Sequence, residues 1–447
     1  MSFSANSLRA VLEAHTPTAA TGLVVAISGG ADSACLLTAL ASPQAPPFRN
    51  LPLRAVHIDH TLQPAAADFR AACEDLCRRL GVPLDIVAVS VDVSGGVSIE
   101  AAARDARYRG LARRFRSGEC LVTAHHAEDQ AETLLLQLLR GAGLKGASAM
   151  PICRPWHDGW HLRPLLYVTQ RELLESDAAA AIAAVFDPMN ADMRFDRTYL
   201  RRQIWPLIEA RWPGAAAALS RAAGHFADAQ ELLDRSAAVA VQKLRDGNCL
   251  SVTGLRALSP IEQHNALRHW IASHEVEPPS STRLREALRQ MLEAKAGGLP
   301  AMRWAGHALR RYRDRLFLTT ANPPRLGAER EWQVGSHAPL RLGGELGALQ
   351  WSARRGGLDP TLLPAAVIVR QRQGGERLAP RGRGRTHTLQ HLCQEFGVLP
   401  WMRDALPLVY AGKELIAVGD LWHDSRWCVA SGMPGLTCEW RDGPILI

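Results

Sequence analysis

Short apolar runs alternate with longer amphipathic stretches over the first 170 residues, and this alternation restricts the fold more than any other feature of the sequence. Strands that are separated by helices of this length are joined by right-handed crossovers, which predicts a parallel, doubly wound α/β sheet. The predicted strands are 23–27, 53–58, 84–91 and 120–123. The predicted helices are 31–41, 65–80, 98–116 and 127–140.

Polar clusters follow three of the predicted strands, at the points where the strands end. They comprise residues 28–33, 57–60 and 125–129. In doubly wound sheets, ligands bind beyond the carboxyl ends of the parallel strands. We therefore expect the three clusters to form one ligand site.

The first cluster, SGGADS, has the composition of a phosphate-binding loop. Glycines allow a tight turn and a close approach of the backbone to a ligand, and amide groups at the start of the next helix attract anions. Serine hydroxyls add donors, and Asp32 would suit the site if it held Mg²⁺ against phosphate oxygens. The predicted phosphate-binding residues are Ser28, Gly29, Gly30, Ala31, Asp32 and Ser33. The alternative is an ordinary Gly-Gly turn with an aspartate near a helix N-terminus.

The pattern changes after Pro164, and a length of 447 residues itself predicts more than one domain. Residues 194–213 predict an arginine-rich amphipathic helix that is interrupted by Pro206. The predicted domains are a doubly wound α/β domain at 1–215, a mostly helical domain at 216–325, a connector at 326–365 and a small α+β domain at 366–447.

Charge and composition narrow the class of protein. The net charge of +8 fits a polyanionic partner such as a nucleic acid, although a genome-wide preference for arginine explains it equally well. The sequence has neither an apolar run long enough for a membrane span nor a secretory signal. Nine scattered cysteines without zinc-site spacing predict free thiols in a reducing cytoplasm and no transition metal.

The SGGADS loop resembles the SGGxDS motif of the N-type ATP pyrophosphatases, the PP-loop enzymes, which split ATP to AMP and pyrophosphate. That resemblance implies an adenine nucleotide α-hydrolase-like fold for the first domain. Further segments resemble successive parts of the tRNA(Ile)-lysidine synthetase family over nearly the whole chain. They are HIDHTLQ (57–63), IEAAARDARYRGL (99–111), TAHHAEDQAETLLLQLLRGAGLKGASAM (123–150), LRPLL (162–166), DPMNADMRFDRTYLRRQIWPLI (187–208) and the block GGERLAP…GDLW (374–422).

The second resemblance implies a reaction. It implies ATP-dependent ligation of lysine to C2 of the wobble cytidine, position 34, in the CAU anticodon of tRNA(Ile). The cytidine is first adenylated, and pyrophosphate and AMP are released. The implied ligands are ATP, Mg²⁺, L-lysine and this tRNA. The two later domains would bind the tRNA. Association into a homodimer is a further expectation.

Acidic residues at the third cluster suit a cationic substrate. Asp129 and Glu132 lie three apart on a predicted helix, so they share a face. Carboxylates would repel phosphates, whereas lysine needs orientation and must lose a proton from its ε-ammonium group before it attacks. The alternative is that the helix dipole alone favours these acids. His126, and with it His125, is predicted to bond ATP phosphates or to transfer protons, the alternative being a structural role.

Basic residues are the candidates for binding phosphate. His57 and Arg104 are predicted to contact ATP or the departing pyrophosphate, although Arg104 also forms an i, i+4 pair with Glu100 that has a purely structural alternative. Arginines with glycines between them at 377–385 suit a flexible loop that follows an RNA backbone. The predicted tRNA- or phosphate-binding arginines are Arg197, Arg201, Arg202, Arg381, Arg383 and Arg385. A solvated helix face is the alternative for the first three.

The sequence departs from the family pattern at two places. Asp59 and Gln63 stand where the family usually carries asparagine and arginine, and Gln390 and His391 stand where basic residues are common. The second departure predicts that the last domain distributes its tRNA contacts differently.

Three other functions remain as alternatives. A PP-loop tRNA thiolase would need reactive cysteines, and the sequence has no C-x-x-C motif. An amidotransferase-type synthetase would need a glutaminase half, for which we find no segment. A non-catalytic RNA-binding protein with a relic loop is the third alternative, and the intact SGGADS loop disfavours it.

Overall fold

The computed structural model describes residues 3–42, 48–59, 66–90, 99–179, 195–295 and 297–444, which divide into two compact units, Met1–Leu233 and Asp234–Ile447. The strands of the first unit are Gly22–Ile27 (β1), Leu53–Asp59 (β2), Leu84–Ala88 (β3), Glu119–Val122 (β4), Cys153–Trp156 (β5) and Gly159–Leu162 (β6). Its helices are Ala5–His15 (α1), Ala31–Leu40 (α2), Ala66–Leu80 (α3), Ile99–Arg114 (α4), Ala127–Leu139 (α5), Leu144–Ala147 (α6), Gln170–Leu174 (α7), Asp196–Tyr199 (α8), Trp205–Arg211 (α9) and most of Ala215–Leu244 (α10).

A six-stranded sheet in the order β3-β2-β1-β4-β6-β5 forms the centre of the first unit. All neighbouring strands are parallel except β5, which pairs antiparallel with β6. The predicted doubly wound fold is confirmed, with observed ends within a few residues of the predicted ones, and the third strand ends at Ala88. The β5–β6 hairpin was not predicted, because its short strands contain a proline and several polar residues.

The phosphate-loop segment is anchored in the core on both sides. β1 is central in the sheet and almost entirely buried, as its continuous apolar run requires when helices cover both faces. Cys35, Leu36 and Leu37 of α2 are fully buried. The polar loop between β1 and α2 is therefore fixed by two apolar elements.

The arginine-rich segment forms a helix with a break in its hydrogen bonding. α8 leads into a π-helical turn, Leu200–Ile204, which is followed by α9. Pro206 lies at the start of α9, where its missing N–H removes a donor that a continuous α-helix would use. A wide π turn next to the proline accommodates this loss, and the predicted interruption is confirmed.

Among its described residues, the second unit contains three apolar cores, one within 241–316 and two within 326–438. Its helices are Val252–Arg256 (α11), Pro260–Ala272 (α12), Ser281–Glu293 (α13) and Leu389–Glu395 (α14). The strands of a five-stranded sheet are Arg245–Asp246 (β7), Cys249–Ser251 (β8), Ala301–Trp304 (β9), His307–Tyr312 (β10) and Arg315–Thr320 (β11). The remaining strands are Arg330–Gln333 (β12), Leu340–Arg341 (β13), Ala348–Arg355 (β14), Ala366–Arg370 (β15), Arg377–Leu378 (β16), His387–Thr388 (β17), Leu408–Ala411 (β18), Glu414–Val418 (β19), Trp422–His423 (β20) and Pro434–Arg441 (β21). Among the described helices, none is long and apolar enough to cross a bilayer.

The segment predicted as a connector, 326–365, contributes to the last core instead. β14 pairs with β21 along its whole length, and the rings of Trp332 and Trp351 stack at 4.4 Å between centroids inside the core. Its glycines indicated a loop, but Gly343 and Gly347 have positive φ angles in the tight turns around short strands. The limits of the predicted domains stay predictions.

Candidate active site

The loop between β1 and α2 requires glycine at its first turn. Gly29 has φ +83°, and a Cβ atom there would lie 2.9 Å from Cδ1 and 3.0 Å from the carbonyl oxygen of Phe69. Gly30 caps α2 without a side-chain hydrogen bond to the first turn. The leading amide groups of α2 therefore remain available to an anion, with the positive end of the helix dipole behind them.

The two serines of the loop hold its shape. The Ser28 amide donates to Oγ of Ser33 at 3.1 Å, and the Ser33 hydroxyl donates to the Gly30 carbonyl at 3.1 Å. Ser33 is buried, whereas Ser28 is exposed. Oγ of Ser28 lies 3.2 Å from Oγ of Ser33 and accepts from the Gly30 amide at 3.3 Å, so both serines hold the turn.

His57 lies beneath the loop. Its Nδ1 is 3.0 Å from the Ile27 carbonyl oxygen and 3.5 Å from Sγ of Cys73, and only 4% of the residue is exposed. Burial lowers the pKa of its imidazole, so the ring is neutral. The geometry gives His57 a contact with the residue that precedes the loop.

Around His126, three carboxylates gather next to the loop. Its Nδ1 lies 2.8 Å from Glu128 Oε2, and its Nε2 lies 3.6 Å from Asp32 Oδ2 and 3.5 Å from Asp129 Oδ2. Burial lowers the pKa of this imidazole, but hydrogen bonds to Asp32 and Glu128 and the charge of Asp129 outweigh it and raise the pKa to about 10. His126 is therefore an imidazolium that joins the loop to α5.

The predicted pair, Asp129 and Glu132, faces two arginines. Arg197 donates to Asp129 Oδ1 and to Glu132 Oε2, both at 2.8 Å. Arg201 donates to Asp129 Oδ1 at 2.9 Å and to Glu132 Oε1 at 2.6 Å. Burial alone would raise the pKa of Asp129, but the charges of His126 and Arg197 lower it by more, so the net shift is downward. The side chain of Glu132 is 1% exposed, and that of Arg201 is 44% exposed.

The other predicted cations lie apart from these pairs. Arg104 is exposed, with its guanidinium 5.3 Å from the ring centroid of Tyr108, and Arg202 is exposed on the π turn. Asp59 ends β2 at the same edge of the sheet as the loop. Several predicted features lie outside the described residues: His60, Gln63, the side chain of Glu100 and segment 187–194.

In the second unit, the predicted RNA-contacting arginines differ in their surroundings. Arg381 bonds to the Gly356 carbonyl, while Arg383 pairs with Glu395 and lies over the ring of Phe396. Arg385 and Gln390 are exposed. The ring of His391 stacks on that of His387, 5.5 Å between centroids.

Two residues that the sequence did not single out complete the cluster. The Gln170 side chain donates to both carboxylate oxygens of Asp32, at 3.3 and 3.4 Å, and its backbone amide donates to Glu128 at 2.9 Å. Glu128 stood within an acidic run and so gave a weak signal. Gln170 gave none, because it lies 138 positions from Asp32 and only the folded chain brings the two together.

Comparisons with known proteins identify the family of the chain. The PP-loop domain family matches residues 4–208, the TilS substrate binding domain family matches 250–317, and the TilS substrate C-terminal domain family matches 367–440. The tRNA(Ile)-lysidine synthase of Alkalilimnicola ehrlichii is 39% identical over 428 residues, which cover 95% of each chain. That of Coxiella burnetii is 38% identical over 95% of this chain and 93% of its own, and that of Pseudomonas aeruginosa is 39% identical over 93% and 95%. The chain therefore belongs to the tRNA(Ile)-lysidine synthase family.

Proposed function

We propose that the loop at residues 28–33 holds the phosphates of ATP while the carboxylates on α5 receive lysine. As a member of its family, the chain is an ATP-dependent ligase that joins lysine to C2 of the wobble cytidine in the CAU anticodon of tRNA(Ile). One observation carries the assignment of sites. The phosphate loop and the acidic cluster meet through His126, which lies 3.6 Å from Asp32 and 2.8 Å from Glu128.

The reaction has two displacements, and the site serves both. In the first, O2 of the cytidine attacks the α-phosphorus of ATP, the bond to the β-phosphate oxygen breaks, and pyrophosphate leaves. In the second, the neutral ε-amine of lysine attacks C2, the C2–O bond breaks, AMP leaves, and the nitrogen loses a proton to a base. The α2 amides would stabilise phosphate charge in the first step, and an α5 carboxylate would accept the proton in the second.

Asp32 would hold a magnesium ion beside the ATP phosphates. Mg²⁺ takes oxygen ligands and is bound by one or two carboxylates plus substrate phosphates. Asp32 stands in the first turn of α2 with its side chain 30% exposed, and its present partners, an imidazolium and an amide, show that its oxygens accept cations or donors. Bound Mg²⁺ would neutralise charge on the triphosphate.

The arginine pairs support a cation-binding role for Asp129 and Glu132. A helix dipole alone would leave these acids solvated, whereas five guanidinium hydrogen bonds of 2.6–2.9 Å converge on them. We assign Arg197 and Arg201 to these carboxylates rather than to a phosphate clamp. The ammonium groups of lysine would bind the same acids together with Glu128, whose side chain is 16% exposed.

Contacts with tRNA are assigned to arginines that are exposed or partly exposed. Arg202, Arg381, Arg383 and Arg385 would contact RNA phosphates, which position the RNA without reading its sequence. Arg104 would neutralise pyrophosphate as it leaves, and His57 would support the loop from below. The tRNA-binding roles of 216–325 and 366–447, the homodimer and the cytoplasmic location stay predictions.

Incorporation of radiolabelled lysine into total tRNA tests the assignment of the loop. Asp32→Ala is expected to abolish incorporation, because the loop would lose both its metal ligand and the partner of His126. Asp85→Ala is the matched control, since Asp85 pairs with Arg54 near the start of β3, at the opposite edge of the sheet. Wild-type incorporation by Asp32→Ala would contradict the proposal.

A further inference from the structure

A second polar network, separate from the His126 cluster, lies between the ends of β4 and β6. Oγ1 of Thr123 is 2.8 Å from Nδ1 of His125 and 2.9 Å from Nε2 of His161. On its other side, Nδ1 of His161 is 3.0 Å from Nη2 of Arg163. Thr123, His161 and Arg163 are all buried, and His161 is fully so.

The chemistry of the donors and acceptors assigns the protons in this chain of bonds. Arginine can only donate, so His161 accepts at Nδ1 and carries its proton on Nε2. That N–H donates to the Thr123 oxygen. Among the described residues, the other partner of Thr123 Oγ1 is Nδ1 of His125, so the hydroxyl proton is directed there. His125 is thereby assigned the tautomer with its proton on Nε2.

The surroundings keep both rings neutral. Burial lowers the pKa of His125 to about 3, with Arg163 and Arg197 adding to the effect against the opposing charge of Asp129. Burial and Arg163 lower the pKa of His161 to about 2. Within the described part of the chain, no group bonds to Nε2 of His125. The two adjacent histidines therefore differ: His126 is an imidazolium, whereas His125 is a neutral donor.

The sheet register brings this donor level with the phosphate loop. β1 and β4 are neighbouring parallel strands in which Val25 pairs with Val122. Ser28 and His125 each lie three residues beyond their member of that pair. Adjacent strands are about 4.8 Å apart, so the phosphate loop and the segment that carries His125 start from neighbouring strands at the same end of the sheet.

We propose that Nε2–H of His125 donates to a non-bridging oxygen of the ATP α-phosphate while the cytidine is adenylated, and that Thr123 and His161 are positioning residues that fix this tautomer. The inference rests on the proposed placement of ATP on the 28–33 loop. A neutral imidazole can stabilise oxygen charge without giving up its proton. In this step O2 bonds to phosphorus and the bond to pyrophosphate breaks, and no proton passes to or from His125.

Single-turnover formation of adenylated tRNA, from ATP labelled at the α-phosphate and without lysine, measures this step. His125→Met is expected to slow adenylation by on the order of 100-fold, the usual cost of removing one oxyanion donor, with the KM for lysine unchanged. His125→Gln retains a side-chain N–H and should recover most of the rate.

The hydrogen-bond relay from His161 through Thr123 to His125 is tested by removing the Thr123 hydroxyl. Thr123→Val should slow adenylation by on the order of 10-fold, the cost of about 1.4 kcal/mol in orientation, and Thr123→Ser should restore it. Thr38→Val is the matched control, because the buried Thr38 hydroxyl has no hydrogen-bond partner among the described residues.

Each outcome is decisive. Adenylation by His125→Met at the wild-type rate, or an effect confined to the KM for lysine, overturns the proposal, and the Met–Gln comparison decides it even if Thr123→Val fails to fold. Equal rates for Thr123→Val and Thr38→Val overturn the relay. Unimpaired adenylation by Asp32→Ala would instead refute the placement of ATP on the loop, whatever the His125 variants do.

Discussion

Arginine–carboxylate clusters lie at both ends of the parallel strands, and the two clusters differ in how they are built. We call the end where the strands begin the amino edge and the end where they finish the carboxyl edge. At the amino edge, Arg54 on β2 donates to both oxygens of Glu119 on β4 and to Asp85 on β3. The Arg116 amide and the Arg114 carbonyl complete the hydrogen bonds of the group. Arg54 is 10% exposed, and all three charges stand on strands of one sheet.

At the carboxyl edge, the acids and the arginines stand on different elements. Asp129 and Glu132 are on α5, but Arg197 and Arg201 are on α8 and the π turn, and Arg201 is nearly half exposed. We interpret the amino-edge cluster as structural, because the side chains of Arg54 and Glu119 are buried and bond to each other. We expect a pair whose cations come from a separate helix to accept another cation, and the proposed cation is lysine.

The largest effect is expected from Glu119→Ala at the amino edge. The variant should lose about 3 kcal/mol in the free energy of unfolding, because Arg54 would keep a buried charge without its bidentate partner. Urea unfolding measures the loss. Lysine incorporation per folded molecule should match the wild type, and a reduced kcat would break the contrast between the two edges.

Glu132→Gln at the carboxyl edge is expected to reduce lysine incorporation by on the order of 30-fold, or about 2 kcal/mol. The amide keeps the shape of the side chain but carries no negative charge to attract a cation. Initial rates over a range of lysine concentrations measure the effect, and adenylation without lysine serves as the reference. An equal loss in both steps would argue against a lysine-binding role.

A third expectation concerns pH. His126 has a pKa near 6.5 when unfolded and about 10 when folded, so its stabilisation is complete below pH 6.5 and is lost as the pH rises towards 10. The difference in unfolding free energy between wild type and His126→Gln should therefore shrink from pH 6.5 to 10. The amino-edge cluster contains no histidine, so the difference for Glu119→Ala should stay flat there. If the free-energy differences of the two variants followed parallel curves against pH, the assignment of His126 as an imidazolium would be refuted.

The smallest effect is expected from Arg202→Ala. This exposed arginine should contribute one phosphate contact, so tRNA affinity should fall a few-fold and the salt dependence should decrease by about one unit. Filter binding at several salt concentrations measures both. Arg116→Ala, which removes an exposed arginine at the amino edge, should leave both unchanged.

Local sequence patterns predicted the strands, helices and phosphate loop of the first unit. They did not predict the contacts between residues that lie far apart in the chain. The apolar runs of β1 and β2 and the glycines of the loop are readable because burial and turn geometry act on neighbouring residues. The bond from Gln170 to Asp32 and the pairing of Arg197 with Asp129 join positions far apart in the chain, so no local pattern encodes them. The same holds for Trp332 and Trp351, whose stacking places a glycine-rich segment in a core.

The π turn at Leu200–Ile204 has a consequence for how this helix tolerates change. Ahead of it, Arg197 faces the acids, and behind it Trp205 packs with Ala127 and Ala131, only 7% exposed. Each residue in an α-helix turns the chain by about 100°, so deleting one residue from the wide turn would rotate the arginines away from α5 while the tryptophan stayed seated. The length of the turn thus sets the rotation of Arg197 about the helix axis relative to Trp205. Substitutions that preserve the number of residues should be tolerated far better than a single-residue deletion.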